Sequence, residues 1–165
     1  MQRETYKTLV AALTNETQEI MPWDLAEELT TAAPPMLLDI RCPDEFAAAQ
    51  IPGAINVPRG ILEIAVDYGY EETVPELVEA RDRRIVVLCR SGNRSVLAAH
   101  TLRQMGYSEV LSLRTGLRGW NDFEQPLCNA AGQRMDPDQV DVMFSPPIAP
   151  EKLGPASAER ANLAR

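Results

Sequence analysis

Apolar runs of four or five residues alternate along this chain with segments of helical spacing. Residues 4–14 suit a short amphipathic helix, and Thr17 to Ile20 reads as a brief first strand. Pro22 then occupies a good first helical position ahead of Trp23-Asp24-Leu25-Ala26-Glu27-Glu28-Leu29. The run Met36-Leu37-Leu38-Asp39-Ile40 follows a Pro-Pro break and predicts a buried strand. Pro43-Asp44-Glu45-Phe46 opens another helix with acids in its first turn, where the helix dipole favours them. Ile51-Pro52-Gly53 is a turn, and Ala54–Val57 a short strand closed by Pro58. Helical pieces are expected near Gly60–Asp67 and Val74–Arg81. Ile85-Val86-Val87-Leu88 is the clearest buried strand, an unbroken apolar run of the kind a central parallel strand shows. The loop Cys89–Arg94 precedes a helix from about Ser95 to Met105, with Ala98, Leu102 and Met105 on one stripe and Gly106 ending it. Val110–Leu113 is the last strand, and Gly116–Phe123 a final short helix.

This alternation predicts an α/β fold: a mostly parallel sheet with helices on both faces. From about Pro126 the pattern changes, with Pro137, Pro146, Pro147, Pro150 and Pro155 interrupting an end that turns Ala-rich and polar. The organisation is therefore read as an N-terminal extension (1–17), a domain (18–126) and a C-terminal extension (127–165) expected to be partly disordered. Met135, Met143 and Phe144 suggest that part of that extension docks on the body or on a partner.

With 165 residues, 45% of them apolar, the chain is long enough for one domain with an adequate core. A formal net charge of -8 argues against nucleic acid or an anionic membrane as the main partner, while leaving room for a local basic pocket. The N-terminal twenty residues hold no apolar run suited to a signal peptide or membrane span, so a cytoplasmic location is expected and the sequon at Asn15 carries no meaning. Three cysteines, Cys42, Cys89 and Cys128, do not read as a disulfide scaffold. None has C-x-x-C spacing, and the single histidine, His100, completes no local zinc pattern, so no metal is expected.

The chemistry concentrates at Leu88-Cys89-Arg90-Ser91-Gly92-Asn93-Arg94-Ser95. Between a buried strand and a helix, this loop belongs at the carboxyl edge of a parallel sheet, where such folds bind ligands. A cysteine there faces the positive end of the next helix and a row of backbone N–H groups, and both favour a thiolate. Gly92 lets the chain curl, and a curled loop points successive N–H groups inward as an anion nest. Arg90 and Arg94 add positive charge for an anionic substrate. A lone cysteine at a strand end is most often just a small buried hydrophobe. The glycine, two arginines and two serines that follow within six positions reverse that reading.

Cys89–Ser95 resembles the active-site loop of the rhodanese family. Three further segments match that family in order: Leu38-Asp39-Ile40-Arg41 with Glu45-Phe46, Gln50–Pro58, and Gly116-Leu117-Arg118-Gly119-Trp120. The resemblance covers roughly residues 18–126. It implies a small five-stranded parallel sheet flanked by helices, with Cys89 as the sulfur-accepting nucleophile. The N–H groups of residues 90–94 would cradle a persulfide, and Arg94 would order the loop or bind the donor's anionic end. Asp39, Arg41 and Glu45 would form a structural charge cluster behind the loop. The chain departs from the family pattern at Gln50, where a histidine is usual, and at Arg114-Thr115-Gly116, where a Gly-Gly step is usual. Tyrosine phosphatases and arsenate-handling enzymes place five residues between Cys and Arg; here four separate Cys89 from Arg94, and Leu88 replaces the histidine typical of tyrosine phosphatases.

The resemblance thus implies a thiosulfate sulfurtransferase. It would use no cofactor, take thiosulfate or a persulfide as a small anionic donor, and deliver sulfur to cyanide, a thiol or a protein cysteine. A protein-docked sulfur carrier and a non-catalytic interaction module of the same fold are the alternatives. Cys42 is expected to be a partly buried structural cysteine, with a resolving thiol as the second reading. Cys128, at the start of the extension, could swing over to receive sulfur from Cys89 or form an intermolecular disulfide. His100 is expected on the polar side of its helix.

Overall fold

A computed structural model describes residues 4–154; the last eleven residues of the predicted C-terminal extension, 155–165, and residues 1–3 lie outside the described residues. In chain order the elements are α1 (Tyr6–Thr14), β1 (Gln18–Ile20), α2 (Pro22–Glu28), β2 (Met36–Asp39), α3 (Pro43–Ala48) and β3 (Ile55–Asn56). A 3-10 turn (Arg59–Ile61) leads into α4 (Leu62–Ala65), followed by α5 (Pro75–Val78), β4 (Arg84–Leu88), α6 (Asn93–Gln104), β5 (Glu109–Leu113), α7 (Gly116–Asp122) and α8 (Pro137–Phe144). A second 3-10 turn spans Pro150–Lys152.

The five strands form one sheet in the order β1-β5-β4-β2-β3, and every pairing is parallel. Strand periodicity divides the core into two layers, since successive side chains point to opposite faces. Leu38, Ile85 and Val87 point to the face covered by α4, α5 and α6, with Leu62, Leu77, Ala98, Ala99 and Leu102 packed against them. Leu37, Val86, Leu88, Leu111 and Leu113 point to the other face, where they meet Leu25 of α2, Leu117 and Trp120 of α7, and Val140 and Phe144 of α8. The middle strand β4 is covered on both sides, which is why Ile85–Leu88 reads as a continuous apolar run.

Helix starts follow from local chemistry. Prolines open α2, α3, α5 and α8 at the first turn, where a missing N–H costs nothing. Asp136 caps α8 by accepting from the Asp138 and Gln139 N–H groups. The strand expected over Ala54–Val57 is only two residues long, because β3 is an edge strand pairing with Leu38 and Asp39 alone. The helix expected from Ser95 starts two residues earlier, at Asn93: Gly92 takes the left-handed N-cap conformation (φ 86°) and turns the chain into the helix at once.

Residues 127–144 join the core. Gln50 and Cys128 exchange backbone hydrogen bonds of 2.8 and 2.9 Å, forming an antiparallel bridge, and Leu127, Val140 and Phe144 are buried in the α7 layer. Among the described residues, no helix is long and apolar enough to cross a membrane.

Phe144→Ala is predicted to cost about 3 kcal/mol, the usual loss for emptying a buried aromatic site. Urea denaturation measures it. A cost near zero would mean that α8 contributes nothing to the core.

Candidate active site

Cys89 is the residue after β4 and is completely buried. Its Sγ accepts the Gly92 N–H at 3.1 Å and the Ser95 N–H at 3.3 Å. The thiol donates to Ser95 Oγ at 3.3 Å, and Ser95 Oγ lies 2.7 Å from Ser112 Oγ, both serines being fully buried. Ser112 Oγ in turn reaches the Gly92 carbonyl at 3.5 Å. A hydroxyl can donate or accept, so this pair can reverse direction. It accepts a hydrogen bond from a neutral thiol, or turns an O–H toward an anionic sulfur. Gly92 and Ser95 thus supply the backbone donors to Sγ itself. Ser91 and Asn93 point to solvent, and Arg90 is half-buried.

The loop's carbonyls are held from the other side. Leu117 N–H donates to the Cys89 carbonyl at 2.9 Å and Arg118 N–H to the Arg90 carbonyl at 3.0 Å. These are N–H groups of the first turn of α7, which have no partner inside their own helix. The approach is close enough that a Cβ on Gly116 would lie 2.5 Å from the Cys89 carbonyl oxygen. Thr115, at the position where the resemblance led one to expect glycine, adopts φ 65° to make this turn, a conformation that costs an L-residue roughly 1–2 kcal/mol.

The predicted charge cluster divides into two pairs. Arg41 and Asp39 form a buried forked pair, with Nη2 at 2.7 Å from Oδ2 and Nε at 3.0 Å from Oδ1. Arg41 also donates to the Ala49 carbonyl (2.6 Å) and the Glu45 carbonyl (3.1 Å), tying α3 to the end of β2, and its guanidinium lies 5.9 Å from the Phe144 ring centroid. The Glu45 carboxylate turns away from this pair and grips Arg94 with two bonds of 2.8 and 2.9 Å. The Arg94 hydrogen bonds hold the Glu45 carboxyl down at about 2, and Glu45 in return raises Arg94 further above its already high range. Arg94 is thereby fixed in the first turn of α6.

Cys42 departs from expectation: it is exposed, because it is the N-cap residue of α3, with its backbone N–H donating to Glu45 Oε2 at 3.2 Å. Cys128 is half-buried, its backbone fixed in the bridge to Gln50. His100 is half-buried, with Nδ1 3.8 Å from the Glu16 carboxylate and a full two turns of α6 from the cysteine loop. A shallow depression of about 290 Å³ beside the loop is lined by Ser91, Thr115, Arg118, Gly119 and Asp122. Among the described residues, no group of three or more His, Cys, Asp or Glu side chains is placed to hold a metal ion.

Sequence reasoning missed Ser112 and the α7 N–H groups. A single hydroxyl in the apolar run Val110-Leu111-Ser112-Leu113 was the available signal for Ser112. Nothing local marks the backbone donors.

This fold and loop belong to a known class. Residues 22–123 match the rhodanese-like domain family, and the chain is a member of it. It is 34% identical over 114 residues to a sulfurtransferase of Allochromatium vinosum, an alignment covering 69% of this chain and 97% of that one. It is 38% identical over 88 residues to the Drosophila persimilis adenylyltransferase and sulfurtransferase MOCS3, which covers 53% of this chain but 19% of MOCS3. Among solved structures, a thiosulfate sulfurtransferase from Pseudomonas aeruginosa superposes with a TM-score of 0.60 at 26% identity, covering 82% of this chain and 25% of that one. A Rhodopseudomonas palustris protein of unknown function, named as a possible tyrosine phosphatase, gives a TM-score of 0.69 at 28% identity, covering 78% and 97%.

Two outcomes are expected. Gly92→Ala places a Cβ 2.9 Å from the Thr115 nitrogen and 3.0 Å from the Leu113 carbonyl in a left-handed conformation, so it should destabilise by about 2 kcal/mol and slow alkylation of Cys89. Full stability with an unchanged alkylation rate would show that the loop does not need this turn. The Glu45–Arg94 pair contributes stability that is fully present above about pH 4.5, the ordinary value, and is lost as pH falls toward the folded value of about 2. The gap in urea midpoint between wild type and Glu45→Gln should therefore be widest at pH 5 and above and shrink on acidification. A gap independent of pH would mean that the charge of Glu45 does not hold Arg94.

Proposed function

We propose that this protein is a cytoplasmic sulfurtransferase that carries sulfane sulfur from thiosulfate or another persulfide, as a persulfide on Cys89, to a thiophilic acceptor. The observation that carries this reading is the buried Cys89 sulfur facing two backbone N–H donors at the N-terminal end of α6. Such a setting suits a sulfur whose charge changes during reaction, because fixed dipoles stabilise the anion without having to reorganise.

In the first step the Cys89 thiolate attacks the outer sulfur of thiosulfate. A Cys–S bond forms, the donor's S–S bond breaks, and sulfite leaves with the electron pair. In the second, cyanide, a small thiolate or a protein cysteine attacks the outer sulfur of the persulfide, and Cys89 leaves as the thiolate. The Ser95 and Ser112 hydroxyls follow the charge by reorienting. Arg94 is engaged with Glu45, so its role is to keep the loop and the start of α6 in register. Arg90, half-buried and in no ion pair among the described residues, is a charge within the loop available to an anionic donor. The sulfurtransferase names of the Allochromatium and Pseudomonas relatives support the same chemistry.

The name of the Rhodopseudomonas neighbour raises phosphoryl transfer as a second reading. The loop argues against it. Only four residues separate Cys89 from Arg94, and the guanidinium that would hold a phosphoryl group is already occupied by Glu45.

Intact-protein mass spectrometry after thiosulfate treatment tests the proposal. Wild type should gain one sulfur, about 32 Da, and lose it to cyanide, while Cys89→Ser should gain none. An adduct persisting in Cys89→Ser would move the chemistry to Cys42 or Cys128. Turnover of p-nitrophenyl phosphate without any sulfur adduct would favour the phosphatase reading.

A further inference from the structure

The helix α1 precedes the segment that matches the family, which begins at residue 22. It packs on α6, and the two helices run the same way. α6 leaves the carboxyl edge of the sheet at Asn93 and returns the chain to the amino edge for β5. α1 likewise ends where β1 is about to begin. Their far ends are fastened together: Arg103 donates to the Glu16 carbonyl, and His100 Nδ1 lies 3.8 Å from the Glu16 carboxylate. Counting back ten residues from Arg103 reaches Asn93, at the start of α6. Counting back ten from Glu16 reaches Tyr6, at the start of α1. The topology therefore sets Tyr6, the first residue of α1, toward the carboxyl edge, on the same side of the sheet as the N-terminal end of α6.

Tyr6 is held there by its own helix start. Thr5 caps α1 with a reciprocal pair of bonds, its Oγ1 accepting the Thr8 N–H at 3.1 Å while its N–H donates to Thr8 Oγ1 at 2.9 Å. Val10 buries the inner face of the helix. The Tyr6 side chain remains 53% exposed, so core packing does not explain its placement. Its electrostatic surroundings agree with the topology. The half of the residue that is covered pushes the phenol above its ordinary range, and the charge of Cys89 adds to this, while Arg94 and Arg90 pull it down. Tyr6 also stands one turn before Val10, on the face of α1 that packs toward α6.

We infer that Tyr6 is a substrate-contacting residue at the mouth of the cysteine loop, whose phenol O–H, together with Arg90, binds the oxygen end of an anionic sulfur donor while Cys89 takes the sulfane sulfur. The assignment rests on the sulfur-transfer reading of Cys89. Chemically, the donor approaches as an anion toward a thiolate, and its SO₃ group must leave as sulfite with the S–S electron pair. A neutral O–H donor beside a guanidinium lowers the repulsion and orients that group. Because the contact is made to oxygens already charged in the ground state, it acts on binding more than on the chemical step. By this assignment the N-terminal helix, not the family core, sets the preference for donors that bear oxygens.

The test uses the full chain and thiosulfate. Tyr6→Phe removes one hydroxyl from an exposed ring, so the melting temperature should not move. KM for thiosulfate should rise about tenfold with kcat within twofold, the size expected for losing one hydrogen bond to a charged group. An unchanged KM overturns the assignment. A second measurement is independent of turnover: the ultraviolet phenolate titration of wild type minus that of Tyr6→Phe. Replacing Cys89 with serine removes the negative charge that raises Tyr6, so this difference titration should shift to lower pH. An unmoved titration shows that Tyr6 is not at the mouth and overturns the assignment as well. The two readings fail differently. A wild-type protein that takes no sulfur from thiosulfate defeats the Cys89 reading and this one with it; a normal adduct with an unchanged KM in Tyr6→Phe defeats only this one.

Discussion

The site depends on the orientation of two peptide groups. The carbonyls of Cys89 and Arg90 are turned outward to the Leu117 and Arg118 N–H groups of α7, while the N–H groups of Gly92 and Ser95 face the sulfur. Each carbonyl shares a rigid plane with the next residue's N–H and points opposite to it, so turning the Cys89 and Arg90 carbonyls outward also turns the Arg90 and Ser91 N–H groups the other way. The free N–H groups at the start of one helix thus lock a loop whose own N–H groups serve the nucleophile. The strained backbone of Thr115 and the tight approach of Gly116 follow from this requirement. Strain of this kind persists only where surrounding structure over-determines it, and here the clamp, the sheet and the start of α6 all converge.

Charge pairing supplies the frame around that loop. Asp39 and Arg41 are both fully buried, and Arg41 spends its remaining donors on the carbonyls of Glu45 and Ala49. Buried pairs of this sort contribute little net stability, since desolvation offsets most of the attraction; breaking one is costly. Their effect here is geometric. The pair fixes α3 against the end of β2, α3 presents Glu45, and Glu45 holds Arg94 at the first turn of α6. Phe144 of α8 then lies against the Arg41 guanidinium, so the C-terminal segment closes the frame. A chain from α8 through Arg41 and Glu45 to Arg94 connects a remote helix with the active loop.

The division of labour among the arginines follows. Arg41 is structural, Arg94 is held in place by Glu45, and Arg90 remains half-buried without an ion pair among the described residues. In a chain of net charge -8, that placement keeps a local positive site within an otherwise acidic molecule. On the proposed assignment of Tyr6, the N-terminal helix, outside the family segment, adds an aromatic hydroxyl beside it.

Much of this was legible in the sequence because it is local. The apolar run Ile85–Leu88 followed by Cys89, a glycine and two arginines specified a strand, a curled loop and a helix start, and the sheet is parallel as the alternation required. Local pattern misplaced what depends on distant partners. It gave Cys42 a partly buried setting, when the N-cap of α3 is exposed. Nor does local pattern show that the Glu45 carboxylate binds Arg94, 49 residues away. Ser112, the α7 donors and the alignment of Tyr6 with α6 were beyond reach for the same reason. Residue types and periodicity determine which elements form and which groups they can offer; which offered groups meet is decided by sheet order and helix packing, and no local period encodes those.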